Sequence, residues 1–287
     1  MRPLRFVALG DSLTEGVGDP VGDGWRGWAA LLADGLAPAD APVEFTNFAV
    51  SGAQTRDVLE RQTPAALAVR PDVASVVIGV NDTLRCTFDI HALTARLDKV
   101  YAAFRAENVV LLTVCLPDPG SMLGLPGAMA KPLARRQRAV NTVVHALSER
   151  HGALHLHAAE GEWLKDRAMW SADRLHPGER GHRQLALRFH SVLAEEGIAT
   201  GVAPSPDPEF PVPTRLASLR WLATAGTGWV ARRCTDLLPQ LLTLAASEVR
   251  HRARGTSARL DLRTSHAVSA ALAALTVTEL TQQPDAA

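Results

Sequence analysis

The chain has 287 residues, of which 47% are hydrophobic, and its 30 basic and 30 acidic side chains balance to a formal charge of zero. Such a composition supports a globular protein with a sizeable core. It argues against generic nucleic-acid binding, which needs a phosphate-neutralising basic surface. The three cysteines, Cys86, Cys115 and Cys234, are far apart and form no CxxC pair, so they indicate neither a disulfide framework nor a zinc site.

The first apolar run, LRFVAL at 4–9, reads as a strand and leads directly into Gly10-Asp11-Ser12. It leaves no room for a cleavable h-region. No stretch approaches the roughly 20 apolar residues a membrane span requires, and a cytoplasmic location is expected. From Trp25 to Leu36, helical spacing places Trp25, Trp28, Leu31, Leu32 and Leu36 on one face. Two further β-branched runs follow, at 43–50 and 73–79. Residues 90–107 return to helical spacing, with Ile90, Leu93, Leu97, Val100, Tyr101 and Phe104 on one side. A fourth strand is predicted over 108–115, then an irregular segment at 117–131, a helix over 132–150, a fifth strand over 153–157 and a helix over 180–197. Strands apolar on both faces, alternating with amphipathic helices, predict βαβ units. The expected domain is a three-layer α/β/α sandwich around a parallel five-stranded sheet.

This domain is expected to span 1–202. Residues 203–213, APSPDPEFPVP, hold five prolines and read as a semi-rigid linker over 203–214. The remainder, 215–287, reads as an α-helical C-terminal extension. Its stripe runs through Leu216, Leu219, Ala223, Gly226, Val230, Cys234, Leu237, Leu241 and Leu244, fringed by arginines, with one more helix over 265–281.

In open α/β sheets, functional groups gather at the C-terminal ends of strands. Four short motifs sit there or close the domain, in the order GDSL (10–13), VSGAQT around Gly52, GVND (79–82) and DRLH (173–176). Each has an ordinary structural reading by itself: Ser12 and Asp82 could be helix N-caps and Gly52 a turn residue. In this order the four blocks resemble the SGNH (GDSL) hydrolase family over about residues 4–200, a fold of flavodoxin-like type, and the resemblance does not reach the tail.

A serine hydroxyl becomes an effective nucleophile only beside a base that a third group orients. Asp173 and His176 are three residues apart, so one turn can set the carboxylate beside the imidazole. The resemblance implies Ser12 as nucleophile, His176 as general base and acid, and Asp173 as its orienter. It also implies an oxyanion hole from the backbone N–H groups of Ser12 and Gly52 and the side-chain amide of Asn81. Asp11 and Asp82 read as supports that hold their loops through backbone N–H groups. His182, six residues beyond His176, competes for the role of base but lacks an aspartate three residues upstream.

Val80 lies between Gly79 and Asn81 and is expected near the reacting centre. Met122, Leu123, Leu125 and Met129, in the segment 117–131, are candidates for an acyl pocket or lid, or for packing on the neighbouring helix. His155 and His157 alternate on the fifth strand and could share a face. Without a carboxylate–histidine spacing they read as structural histidines, and neither metal nor cofactor is expected.

The leading reading is thus a cofactor-independent serine esterase acting on a small-molecule acyl ester, lipid or otherwise, through an acyl-enzyme on Ser12. The resemblance also admits lipases, lysophospholipases, thioesterases and carbohydrate deacetylases, which share the four blocks; the expected lack of a signal peptide disfavours extracellular polysaccharide deacetylation, and the apolar 121–129 loop favours acyl chains over acetyl groups. A contrasting reading is a non-catalytic interaction protein working through its C-terminal helices. For those helices the plain expectation is that they fold back on the domain, with a partner contact or peripheral membrane contact as alternatives. The sequence does not give the oligomeric state.

Overall fold

The computed structural model describes residues 2–41, 43–211 and 238–282, with side chains as far as 276. Five parallel strands form the central sheet: β1 (Arg5–Gly10), β2 (Glu44–Asn47), β3 (Val73–Val77), β4 (Val110–Cys115) and β5 (Leu154–His157). Their spatial order is β2-β1-β3-β4-β5. The chain leaves β1 toward one edge and returns to its other side with β3. The crevice at the C-terminal ends of β1 and β3 is therefore the topological switch point, where ligands bind in such sheets.

Every residue of β3 is buried, as expected for a central strand with both faces covered. Period-two alternation divides β1 between two cores. Phe6 and Ala8 face a cluster built with Trp28, Leu32, Leu185 and Phe189. Val7 and Leu9 face the other, with Leu97, Val100, Tyr101, Phe104, Val140 and Val144. The helices behind these side chains are α1 (Gly27–Leu36) and α4 (Glu179–Glu195) on the first face, and α2 (Ile90–Ala106) and α3 (Gly127–His151) on the second. Trp28 and Phe189 stack with ring centroids 4.8 Å apart, joining α1 to α4. The expected three-layer α/β/α architecture with five parallel strands is the one observed.

Local departures have physical causes. Trp25 lies outside α1 and is exposed, because Gly24–Trp25 pairs antiparallel with Pro20–Val21 in a small hairpin. Segment 117–131 is more ordered than its composition suggests. Asp118 caps a helical turn at Pro119–Met122, its carboxylate accepting from the Gly120 and Ser121 N–H groups, and α3 already begins at Gly127. Between β2 and β3, Thr55–Ala68 is helical with a π-helical stretch at Val58–Gln62, an element the periodicity did not reveal.

Beyond the sheet domain, residues 203–211 lack regular structure but are tied down by Glu209, whose carboxylate accepts from Arg26 at 2.7 Å and Arg183 at 2.6 Å. The tail stripe from Leu216 to Leu237, with Cys234, lies outside the described residues. Past it, α5 (Leu238–Ala253) and α6 (Ser257–Gln282) pack on α2 and α3. Val268 and Ala271 are buried, and Leu241 and Leu244 join a small cluster with Leu84, Leu125 and Leu133. Buried Glu248 of α5 accepts from Arg135 of α3 at 3.1 Å. Among the described residues, no helix is long and apolar enough to cross a membrane.

Candidate active site

Ser12 opens a single helical turn, Ser12–Glu15, directly after β1, and Asp11 caps that turn by accepting from the Leu13 N–H at 3.1 Å. The strand end beneath it is clamped from an unexpected direction. Buried Gln62, in the π-helical stretch, accepts from the Gly10 N–H at 2.8 Å and donates to the Gly10 carbonyl at 2.9 Å. An amide side chain thereby imitates one more strand partner for the last residue of β1. Nothing in the local sequence marks Gln62, since its partner is 52 residues away.

Opposite Ser12, the loop before α4 carries DRLH. His176 Nε2 lies 2.7 Å from Ser12 Oγ, and His176 Nδ1 lies 2.7 Å from Asp173 Oδ2. The other oxygen of Asp173 accepts from Ser171 Oγ at 2.7 Å and from the backbone N–H groups of Leu175 and His176 at 2.9 and 3.0 Å. Burial alone would raise the Asp173 pKa, but the hydrogen bonds and charge of His176, with the Ser171 hydroxyl, hold it well below the usual carboxylate range. An ionised carboxylate on Nδ1 keeps the Nδ1–H tautomer, leaving the Nε2 lone pair for the Ser12 hydroxyl.

His182 is held elsewhere. Its Nδ1 accepts from the Trp28 N–H and its Nε2–H donates to the Val17 carbonyl, both at 3.1 Å. Full burial pushes its pKa down to about 4, so it is neutral and joins α4 to α1 and to the Ser12 loop.

Asn81 lines the same crevice from the end of β3, and the Gly52 loop beyond β2 is tied to it through the Ala53 carbonyl. Gly52 has φ +85°, and a Cβ there would meet nothing within 4 Å. The conformation, rather than crowding, is therefore what favours glycine at this position. Among the described residues the N–H groups of Ser12 and Gly52 have no hydrogen-bond partner. Asn81 is already engaged, its Nδ2 donating to Asp11 Oδ2 and to the Ala53 carbonyl, both at 3.1 Å. Asp11 thus has a second task beyond its cap, and burial, partly offset by these hydrogen bonds and by His176, raises its pKa to about 6. Asp82 anchors the Gly52 loop from below, accepting from the Thr55 hydroxyl at 2.7 Å and from the Thr55 N–H.

An apolar cavity opens beside Ser12 and His176, walled by Val80, Leu116, Met122, Trp163, Trp170 and Leu175 among others. Val80 and Met122, two of the candidates for an acyl pocket, line it. Leu123 and Leu125 do not, because the Pro119–Met122 turn carries the chain away from the cavity and Leu125 packs on Leu84 and Leu133 instead. Met129 belongs to α3 and also lies outside the lining. The wall is completed by Trp163 and Trp170, stacked with centroids 5.2 Å apart. Sequence reasoning missed this pair; two tryptophans seven residues apart in an otherwise unassigned stretch were the available signal.

Residues 8–184 match the GDSL-like lipase/acylhydrolase family. The chain is 31% identical over 214 residues to an acetylxylan esterase from Geobacillus stearothermophilus, covering 68% of this chain and 95% of that protein. It is 30% identical over 115 residues to an arylesterase from Vibrio mimicus, covering 39% of this chain and 56% of that one. A crystal structure of the Geobacillus stearothermophilus acetylxylan esterase Axe2 superposes with a TM-score of 0.55 at 23% identity, over 67% of this chain and 94% of that one, a likeness of fold. With all four motif blocks inside the matched region, the chain belongs to the GDSL-like lipase/acylhydrolase family, the SGNH hydrolases of ester bonds.

Proposed function

We propose that the protein hydrolyses carboxylic esters of short acyl groups through an acyl-enzyme on Ser12. The observation that carries this reading is the unbroken hydrogen-bond chain Ser12 Oγ–His176–Asp173, each link 2.7 Å long, at the mouth of an apolar cavity. His176 Nε2 takes the Ser12 proton as Oγ attacks the ester carbonyl, then gives it to the departing alcohol. Asp173 holds the imidazole and balances the imidazolium that forms. Water, deprotonated by His176, attacks the acyl-enzyme, and Ser12 recovers its proton as the acid leaves. No cofactor enters this balance.

The oxyanion of each tetrahedral intermediate falls to the unpartnered N–H groups of Ser12 and Gly52. Asn81 contributes by giving up its bond to the Ala53 carbonyl, with Asp11 keeping the amide oriented. One such donor is worth about 3 kcal/mol in the transition state.

The cavity supports a small acyl group. Its ≈ 60 Å³ of space for water-sized occupants corresponds to roughly four to six such groups, enough for an acetyl to butyryl chain. The acetylxylan esterase relative supports esters with a small acyl part, and the arylesterase relative supports ester hydrolysis.

The test is a p-nitrophenyl ester series from acetyl to palmitoyl, with a thioester alongside, and fluorophosphonate labelling of wild type and Ser12→Ala. Labelling confined to wild type, with kcat/KM falling beyond butyryl, is expected. Equal labelling of both proteins would overturn the nucleophile, and a palmitoyl optimum would overturn the acyl class.

A further inference from the structure

Behind the wall formed by β4 and β5, on the face covered by α3, the fold assembles a second group of reactive side chains. The parallel register sets Thr113 beside His155 and Cys115 beside His157. Alternation along each strand then brings all four side chains to one face. Cys115 Sγ is 3.0 Å from His155 Nε2. The ligand atoms of Cys115, His155 and His157 all lie within 4.8 Å of one another. Above them, His145 of α3 sets its ring 5.2 Å from that of His155 and 5.1 Å from that of His157, centroid to centroid.

We propose that Cys115, His155 and His157, with His145 as fourth ligand, bind one divalent transition-metal ion of the zinc type at a site separate from Ser12. A thiolate with three imidazoles suits zinc and its borderline-soft neighbours, whereas magnesium and calcium require oxygen ligands. Zinc bonds of about 2.3 Å to sulfur and about 2.0–2.1 Å to nitrogen set neighbouring ligand atoms about 3.3–3.6 Å apart. The ligand atoms of Cys115, His155 and His157 lie within 4.8 Å of one another, so binding draws them together and brings His145 in from α3 as the fourth.

The surroundings are built as metal sites usually are. His155 Nδ1 is within 2.8 Å of Thr113 Oγ1 and 3.3 Å of Ser148 Oγ, so Nδ1–H has acceptors and the Nε2 lone pair is turned toward the cluster. Thr113 and Ser148 are themselves hydrogen-bonded at 2.7 Å, and Ser148 is anchored on the Val144 carbonyl of α3. His145 Nδ1 is buried without a hydrogen-bond partner among the described residues, while its Nε2 lies 3.2 Å from Glu149 Oε1. Cys115 is buried while His157 is exposed, so the ion enters from the β5 edge of the sheet. Binding releases the Cys115 thiol proton to solvent as the S–metal bond forms.

The test is titration of the chelator-treated, reduced protein with cobalt(II) followed by zinc. One cobalt per chain is expected, with near-ultraviolet thiolate-to-cobalt charge transfer, tetrahedral visible bands, and displacement by zinc. Cys115→Ser should abolish the charge-transfer band. His157→Ala, a change at an exposed side chain, should weaken affinity at least about tenfold, since losses even in the surrounding shell cost 10–100-fold. Unchanged p-nitrophenyl acetate turnover in His157→Ala checks that this variant is folded. The absence of saturable cobalt binding overturns the proposal. So does an octahedral spectrum without the sulfur band, or binding indifferent to both substitutions.

Discussion

Two histidines, six residues apart, separate the chemistry of this protein from its architecture, and His182→Gln tests the division. In the native structure His182 bridges the Trp28 N–H and the Val17 carbonyl while fully buried and neutral, with a pKa pushed down to about 4 from 6.5. Well above pH 6.5 the folded and unfolded chains carry the same neutral imidazole, so titration contributes nothing. Between pH 6.5 and 4 the unfolded chain takes up a proton that the folded chain refuses, and stability falls as pH falls. A pKa lowered from 6.5 to about 4 makes the loss across that window a few kcal/mol. Glutamine can still accept from Trp28 and donate to Val17 but does not titrate. Urea unfolding at several pH values between 4.5 and 7.5 should show the variant losing less stability on acidification than wild type, by up to about 3 kcal/mol. His182→Ala should cost about 2–6 kcal/mol at pH 7 by leaving two buried backbone groups unpaired. In folded His182→Gln, kcat/KM at pH 7 should stay within a few-fold of wild type. A parallel acid slope, or a loss of activity as deep as that of Ser12→Ala, would refute the assignment.

Asp173→Asn keeps the shape of the His176 contact but removes the charge that holds the Nδ1–H tautomer; kcat should drop about 10⁴-fold with little change in KM in steady-state assays. At Gly18, with φ +106°, a Cβ would lie 2.0 Å from the Pro177 carbonyl oxygen. Gly18→Ala should therefore push the His176 loop away from Ser12, lowering kcat more than it raises KM and costing about 1–3 kcal/mol in thermal unfolding. Gln62→Leu leaves the Gly10 N–H without its Gln62 partner while the Gly10 carbonyl keeps the Val50 N–H, and should destabilise by about 1–3 kcal/mol and slow fluorophosphonate labelling of Ser12.

How much could be read in advance follows from the range of each signal. The strand–helix alternation is written in residue spacing within single segments, so the layers and the five strands were legible before any coordinates. The motif order was legible too, because each block is a short run at a strand end. Gln62, Trp163, Trp170 and the Asp11–Asn81 contact were not, since each acts through partners the chain brings near only by folding. Leu123 and Leu125 show the reverse case. Their composition and position suited a pocket, but one helical turn capped by Asp118 directs Leu125 into a separate cluster.

The sequence by itself determined that this chain builds a parallel sheet and delivers a Gly-Asp-Ser turn to the end of its first strand. Tertiary structure decided which histidine meets that serine. His176 and His182 are alike as residues and nearly neighbours. The Asp173 carboxylate and the close passage of Gly18 against Pro177 set one at 2.7 Å from Ser12 Oγ, while the backbone of α1 holds the other neutral and buried. The same holds for the second cluster. His155 and His157 share a face by strand alternation alone, but only strand register and the packing of α3 bring Cys115 and His145 to them. Local spacing is set by backbone geometry, whereas the pairing of distant polar groups is set by which surfaces must be buried together.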